Sequence, residues 1–283
     1  MRKISGLSLL LPFIICFIGC VPERHAYFLS PTNSNANPYA VIPMKTDSLR
    51  SANYISALYN IGSANDLGYD NVLAFQLRFH RSHNFGIFQA FYGANISLGS
   101  YVISDYFRTK YSDSPNVYGN YYPPYQYFDT VFRVTGRSSF FGNYGFTGGI
   151  NMVIPFEKGE WRPLGIEMSV QNEFGNYLNF RKTLPDSAAD IVFRKSFTAT
   201  LGFYMDIIGK NRHGTEFGYK ISYGFPLNSI NNYYRNVGAS IFPMCYLSNT
   251  FHLTKKRITA FMQANVGTYA QSFQTGVSCR IGK

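Results

Sequence analysis

The stretch Val72-Leu73-Ala74-Phe75-Gln76-Leu77-Arg78-Phe79-His80-Arg81 decides the fold. Leu73, Phe75, Leu77 and Phe79 alternate with Ala74, Gln76, Arg78 and His80. Successive side chains of a β-strand point to opposite faces, so one face here is apolar and the other carries charge. The pattern recurs downstream. Residues 85–103 set Phe88, Ala90, Tyr92, Ala94, Ile96 and Leu98 against Gln89, Phe91, Gly93, Asn95, Ser97 and Gly99. Residues 190–208 set Ile191, Phe193, Phe197, Ala199, Leu201, Phe203, Met205 and Ile207 against Arg194, Ser196, Thr198, Thr200 and Asp206. Ten such segments lie at 52–61, 71–81, 85–103, 139–155, 162–177, 190–208, 214–225, 237–253, 257–268 and 272–282.

The connections support this reading. Those near 82–84, 156–161, 209–213 and 254–256 are short. On the other side lie 62–70, 104–138, 178–189, 226–236 and a last short one at 269–271. Short turns at one end and longer loops at the other are the pattern of a transmembrane barrel. The prediction is an all-β fold, a transmembrane antiparallel up-and-down β-barrel of about ten strands over residues 51–283. A soluble β-sandwich also alternates, but its strands run about 5–6 residues, far shorter than the segments at 85–103 and 190–208.

Composition agrees. Aromatic residues make up 18% of the 283, and charged residues only 14%, against a usual charged share of about 25%. Beyond residue 19 no run approaches the roughly 18 apolar residues that a membrane helix needs. A chain that spans as strands must close into a barrel, because lipid offers no partner to an open sheet edge. The formal charge is +11, with Arg2 and Lys3 in the leader. The basic residues are not gathered on one helix face or motif, so nucleic acid is not an expected partner. Arg81, Lys210, Arg212, Lys255, Lys256 and Arg257 fall at expected short turns, where lipid headgroups account for them.

At the N-terminus, Arg2-Lys3 precedes an apolar run over residues 4–18, the pattern of a signal peptide spanning 1–19. The segment ends Phe17-Ile18-Gly19-Cys20. This resembles the lipobox of bacterial lipoproteins: a bulky apolar residue, a small residue, then Cys. The resemblance implies cleavage before Cys20 and acylation of that residue. Residues 20–50 then read as a lipidated tether, since Pro22, Pro31, Pro38 and Pro43 with Asn33, Asn35 and Asn37 oppose regular structure. Leader and strand pattern together resemble bacterial outer-membrane β-barrel proteins that are also lipoproteins. That implies an outer-membrane location, lipid as a partner, and a lipid-anchored N-terminus on the periplasmic side. Cys245 and Cys279 are expected to face lipid on strands that are not adjacent, too far apart for a disulfide.

The inward face is expected to carry Arg78, His80, Glu167, Glu173, Arg194, Glu216, Lys220, Arg257 and Arg280. A ten-stranded barrel is narrow, so these residues predict an interior plugged by a polar network of opposite charges. Glu167 and Glu173 lie six residues apart on one strand, roughly 20 Å, too far to act as acid and base on one substrate. His80-Arg81-Ser82-His83 reads as a solvated turn, without the i, i+4 spacing of a helical zinc pair. No catalytic residue, metal or cofactor is predicted. Tyr111, Tyr118, Tyr121, Tyr122, Tyr125 and Tyr127 crowd one loop, as a lid over the barrel mouth or as a contact surface for a protein or glycan. The leading expectation is a non-enzymatic envelope barrel acting through its outer loops. The alternatives are a narrow channel for small solutes and an outer-membrane hydrolase.

Overall fold

The computed structural model describes residues 27–31, 37–45, 49–64, 70–112, 127–185, 188–189, 191–227, 245–268 and 270–282, with backbone only for 106–112 and 127–132. Ten long strands follow the chain: β1 (Ser51–Ala64), β2 (Asp70–Phe85), β3 (Phe88–Ile103), β4 (Arg137–Met152), β5 (Gly159–Phe174), β6 (Phe197–Lys210), β7 (Thr215–Pro226), β8 (Tyr246–Lys255), β9 (Ile258–Gly267) and β10 (Ala270–Ile281). Each pairs antiparallel with its neighbour in sequence, and β10 pairs with β1 from Ala270↔Ala64 to Ile281↔Asn53. The sheet is therefore a closed up-and-down barrel of ten strands with no free edge. Ile154–Phe156 carries β4 past a break at Val153.

The faces sort as the alternation requires. Leu73, Phe75, Leu77 and Phe79 point outward with 42–50% of their surface exposed. Apolar side chains of every other strand join them in one continuous outer belt. Trp161, Phe85, Phe88 and Phe156 mark its short-turn end, and Phe140, Tyr144, Phe174 and Tyr223 its long-loop end. Such aromatic girdles mark the two interfaces of membrane barrels. The chain has the architecture of the outer-membrane β-barrel class.

Four details depart from the expectations. His80–His83 lie within β2 and not in a turn, because the reversal comes at Gly86-Ile87, where Gly86 supplies the positive φ of 59° that a tight hairpin needs. Ser82 then points inward, while Arg81 and His83 point outward and His83 stacks on Tyr92. Ile191 and Phe193 are not on the outer face of β6. They are buried in the preceding loop. The described residues of that loop, 175–185, 188–189 and 191–196, fold back over its end of the barrel. The loop begins at Gly175, whose φ of 113° excludes most side chains, and continues into helix α1 (Asn176–Thr183). Tyr177, Phe180, Leu184, Ala188, Ala189 and Val192 pack there against Phe28, Val72, Tyr101 and Phe141. In the neighbouring long connection, Tyr106–Ser112 pairs with Tyr127–Val134 as a hairpin. Tyr118, Tyr121, Tyr122 and Tyr125 lie outside the described residues, as do the side chains of Tyr111 and Tyr127.

The fourth departure concerns 20–50. Cys20 is outside the described residues. Residues 27–30 and 37–44, expected in a lipidated tether, are buried in the barrel and its long-loop mouth. Tyr27–Phe28 forms a short parallel pair with Ile191–Val192 at the long-loop mouth. Tyr39, Ala40, Val41, Ile42 and Met44 are buried in the lumen. The physical reason is in their composition: four aliphatic side chains and a Tyr among two prolines gain from leaving water. Pro38 and Pro43 also bring no N–H that the lumen would have to satisfy.

Candidate functional site

The candidate site is the lumen itself, where the wall grips residues 37–45. An extended chain inside a barrel has no strand partner, so its carbonyls must be met by side chains. They are met in sequence order. Gln263 Nε2 donates to Asn37 O (3.2 Å), Arg78 Nη1 to Pro38 O (2.7 Å) and His80 Nε2 to Val41 O (3.0 Å). Arg162 Nη2 donates to Ile42 O (3.0 Å), and Gln89 Nε2 and Asn84 Nδ2 to Pro43 O (3.1 and 3.3 Å). The Lys45 N–H donates to Glu160 Oε2 at 2.7 Å. These donors come from β2, β3, β5 and β9, so the plug is tied to several sides of the wall.

Arg162 is the centre of the charged network at the short-turn end. It is 1% exposed, donates to Glu160 Oε1 from Nε (2.8 Å) and Nη2 (2.5 Å), and meets Asp206 Oδ2 at 2.9 Å. Asp206 Oδ1 lies 3.3 Å from His252 Nε2, which also lies 3.0 Å from the Tyr39 hydroxyl. The Tyr39 ring stacks on that imidazole with centroids 4.2 Å apart. The ring has room because β7 carries Gly218 beside it. A Cβ there would stand 2.0 Å from the imidazole. Deeper in, Lys220 Nζ bonds Glu167 Oε2 at 2.7 Å and lies over the Tyr204 ring. Near the long-loop mouth, Arg181 of α1 reaches in to Glu173 Oε2 at 2.5 Å and donates to Phe193 O at 2.6 Å. Tyr101 donates to Asp70 (2.9 Å) and stacks on Tyr177.

Of the residues expected inside, Arg78, His80, Glu167, Glu173 and Lys220 are buried in the lumen. Glu167 and Glu173 meet different cations and do not share a site. Arg194 instead lies in the mouth loop, bonded to Leu184 O at 2.7 Å. Glu216 and Arg280 line the short-turn mouth, Glu216 paired with Lys210 at 3.5 Å. Three cavities between plug and wall hold about 20–30 Å³ each, room for about one water. Among the described residues no cluster of His, Cys, Asp or Glu could hold a metal ion. Cys245 and Cys279 are free thiols.

Comparison with known proteins adds the following. No protein-family model matches the chain, and no curated protein does. Among solved structures, the KdgM porin in complex with disordered oligogalacturonate is 10% identical, with 81% of this chain and 99% of that one covered, at a TM-score of 0.30. The transport unit of the autotransporter AIDA-I from Escherichia coli is 7% identical (86% and 93% covered, TM-score 0.39). The translocator domain of the autotransporter NalP from Neisseria meningitidis is 8% identical (84% and 91% covered, TM-score 0.36).

Sequence reasoning missed Glu160, Arg162, Asp206 as a paired group, His252, Arg181 and the plug. The signals were present. Glu160 and Arg162 are two apart and so share a strand face, but 156–161 reads as a turn. The run Ala40-Val41-Ile42 with Met44 is too apolar for a tether in water.

Proposed function

We propose that this protein is an outer-membrane barrel closed by its own N-terminal segment, and that it acts through its long loops without conducting solute. One observation carries the reading: seven side chains from the wall bind the backbone of residues 37–45 along the lumen. Each hydrogen bond to a charged donor is worth about 1.5–3 kcal/mol and each neutral one about 1 kcal/mol. Together they hold the plug closed against thermal opening. The reading includes a leader over 1–19, acylation at Cys20, no enzymatic activity, and a protein or glycan ligand at the tyrosines of 106–128. Tyrosines in a loop provide large contact area at low entropic cost, which favours a binding role. The carboxylates and histidines of the lumen are engaged by cations and by the plug, which favours a structural role over hydrolysis.

Single-channel recording in planar bilayers tests it. The native protein is expected to stay closed, and replacing residues 38–44 by a Gly-Ser segment of equal length is expected to produce steady openings. Steady openings of the native protein would reject the plugged reading in favour of a narrow channel. The mass of the mature chain, starting at Cys20 and carrying acyl groups, tests the lipoprotein part.

A further inference from the structure

The direction in which the plug runs has a topological consequence. Tyr27–Phe28 sits on Ile191–Val192, in the loop between β5 and β6 at the long-loop mouth. Leu29–Pro31 lies beside Ser63, Ala64, Ala270 and Gln271, all strand ends at that same mouth. Asn37 and Pro38 meet Gln263 and Arg78 midway down the barrel. Ile42, Pro43 and Lys45 meet Arg162, Gln89 and Glu160, which stand near the short turns. Asn84, beside the β2–β3 turn, bonds Leu49 O and Arg50 O before β1 begins at Ser51. The order is monotonic. The chain enters at the long-loop mouth, descends the lumen and starts the wall from the short-turn mouth.

We infer that the chain enters the lumen from the outer face of the cell, so that Tyr27 stands at the extracellular mouth of the barrel and not at the periplasmic one. This rests on the reading of the barrel as an outer-membrane protein with its long loops outside. It reverses the periplasmic side expected for the N-terminus from the sequence. The three cavities described between plug and wall hold about one water each, which leaves no room for a second pass of the chain through the lumen. A chain threaded in this direction has come to the lumen from the long-loop side.

Antibody labelling of intact cells tests this. One epitope tag is inserted between Arg24 and His25, a second between Asn231 and Asn232 in the loop before β8, and a third between His213 and Gly214 in a short turn. The expected result is labelling of the first and second tags on intact cells, and of the third only after the outer membrane is permeabilised. Labelling of the loop tag but not the N-terminal tag on intact cells would overturn the inference and leave the barrel reading standing. Labelling of the short-turn tag in place of the loop tag would mean an inverted barrel, and the inference would fall with its premise. The unmodified chain provides a reading free of insertion artefacts. Trypsin added to intact cells is expected to cut after Arg24, leaving a barrel that starts at His25. Protection of that bond in intact cells, with cleavage after permeabilisation, would contradict the inference.

Discussion

Arg162 is the residue on which the short-turn end depends. It is the cation that holds two buried carboxylates, Glu160 and Asp206, and it also binds Ile42 O. Removing one partner of a buried ion pair strands the other charge and costs about 3–5 kcal/mol. Arg162→Met is therefore expected to lower the thermal unfolding midpoint in detergent, read by heat-modified gel mobility. Glu160→Gln combined with Arg162→Met should recover part of the loss, and equal loss in single and double variants would contradict the pairing. Gly218 gives a second residue-level prediction. A methyl group there collides with the His252 ring, so Gly218→Ala should destabilise by about 1–3 kcal/mol, as overpacking does. His252→Ala in the same chain should relieve it. These roles were only partly legible in the sequence. Arg78, His80, Glu167, Glu173 and Lys220 could be read as inward because period two continues through each. Arg162 could not, because the pairing of β5 with β6 slips between Gly165 and Arg162, and counted from the outward Leu164 and Ile166 the period would put Arg162 on the lipid face.

At the scale of elements, the ten strands were legible because each repeats period two long enough to separate a lipid face from a lumen face. What failed were segments whose surroundings are not two-sided. Residues 37–45 are enclosed all round, so no periodicity marks them, and prolines made them resemble a linker. Ile191 and Phe193 alternate like β6 but bury themselves under the mouth loop with Arg181. Strand pattern does not distinguish an apolar loop from an apolar wall. The outer faces carry a direct prediction. Phe75 lies mid-strand in β2 with half its surface exposed. An Arg at the bilayer midplane of a barrel costs about 2–4 kcal/mol, so Phe75→Arg should lower folding stability in lipid vesicles by that order. Ala74→Ser, on the lumen side, should change it by much less. Equal costs would mean that β2 does not present Phe75 to lipid.

For the whole molecule, wall, plug and mouth loop form one interlocked body. The first described residues pair with the loop after β5, the next fill the lumen, and β1 then closes with β10. A β-barrel resolves the edge problem of a sheet but leaves a lumen to be filled. In this chain, side chains of the wall and residues 37–45 fill it together. The most direct measurement of that claim uses Val41→Cys in a background where Cys245 and Cys279 are replaced by Ser. A water-soluble maleimide is applied to the folded protein in detergent and again after unfolding in urea. The account predicts a thiol that stays unreacted until the barrel unfolds, and rapid labelling of the folded protein would contradict it.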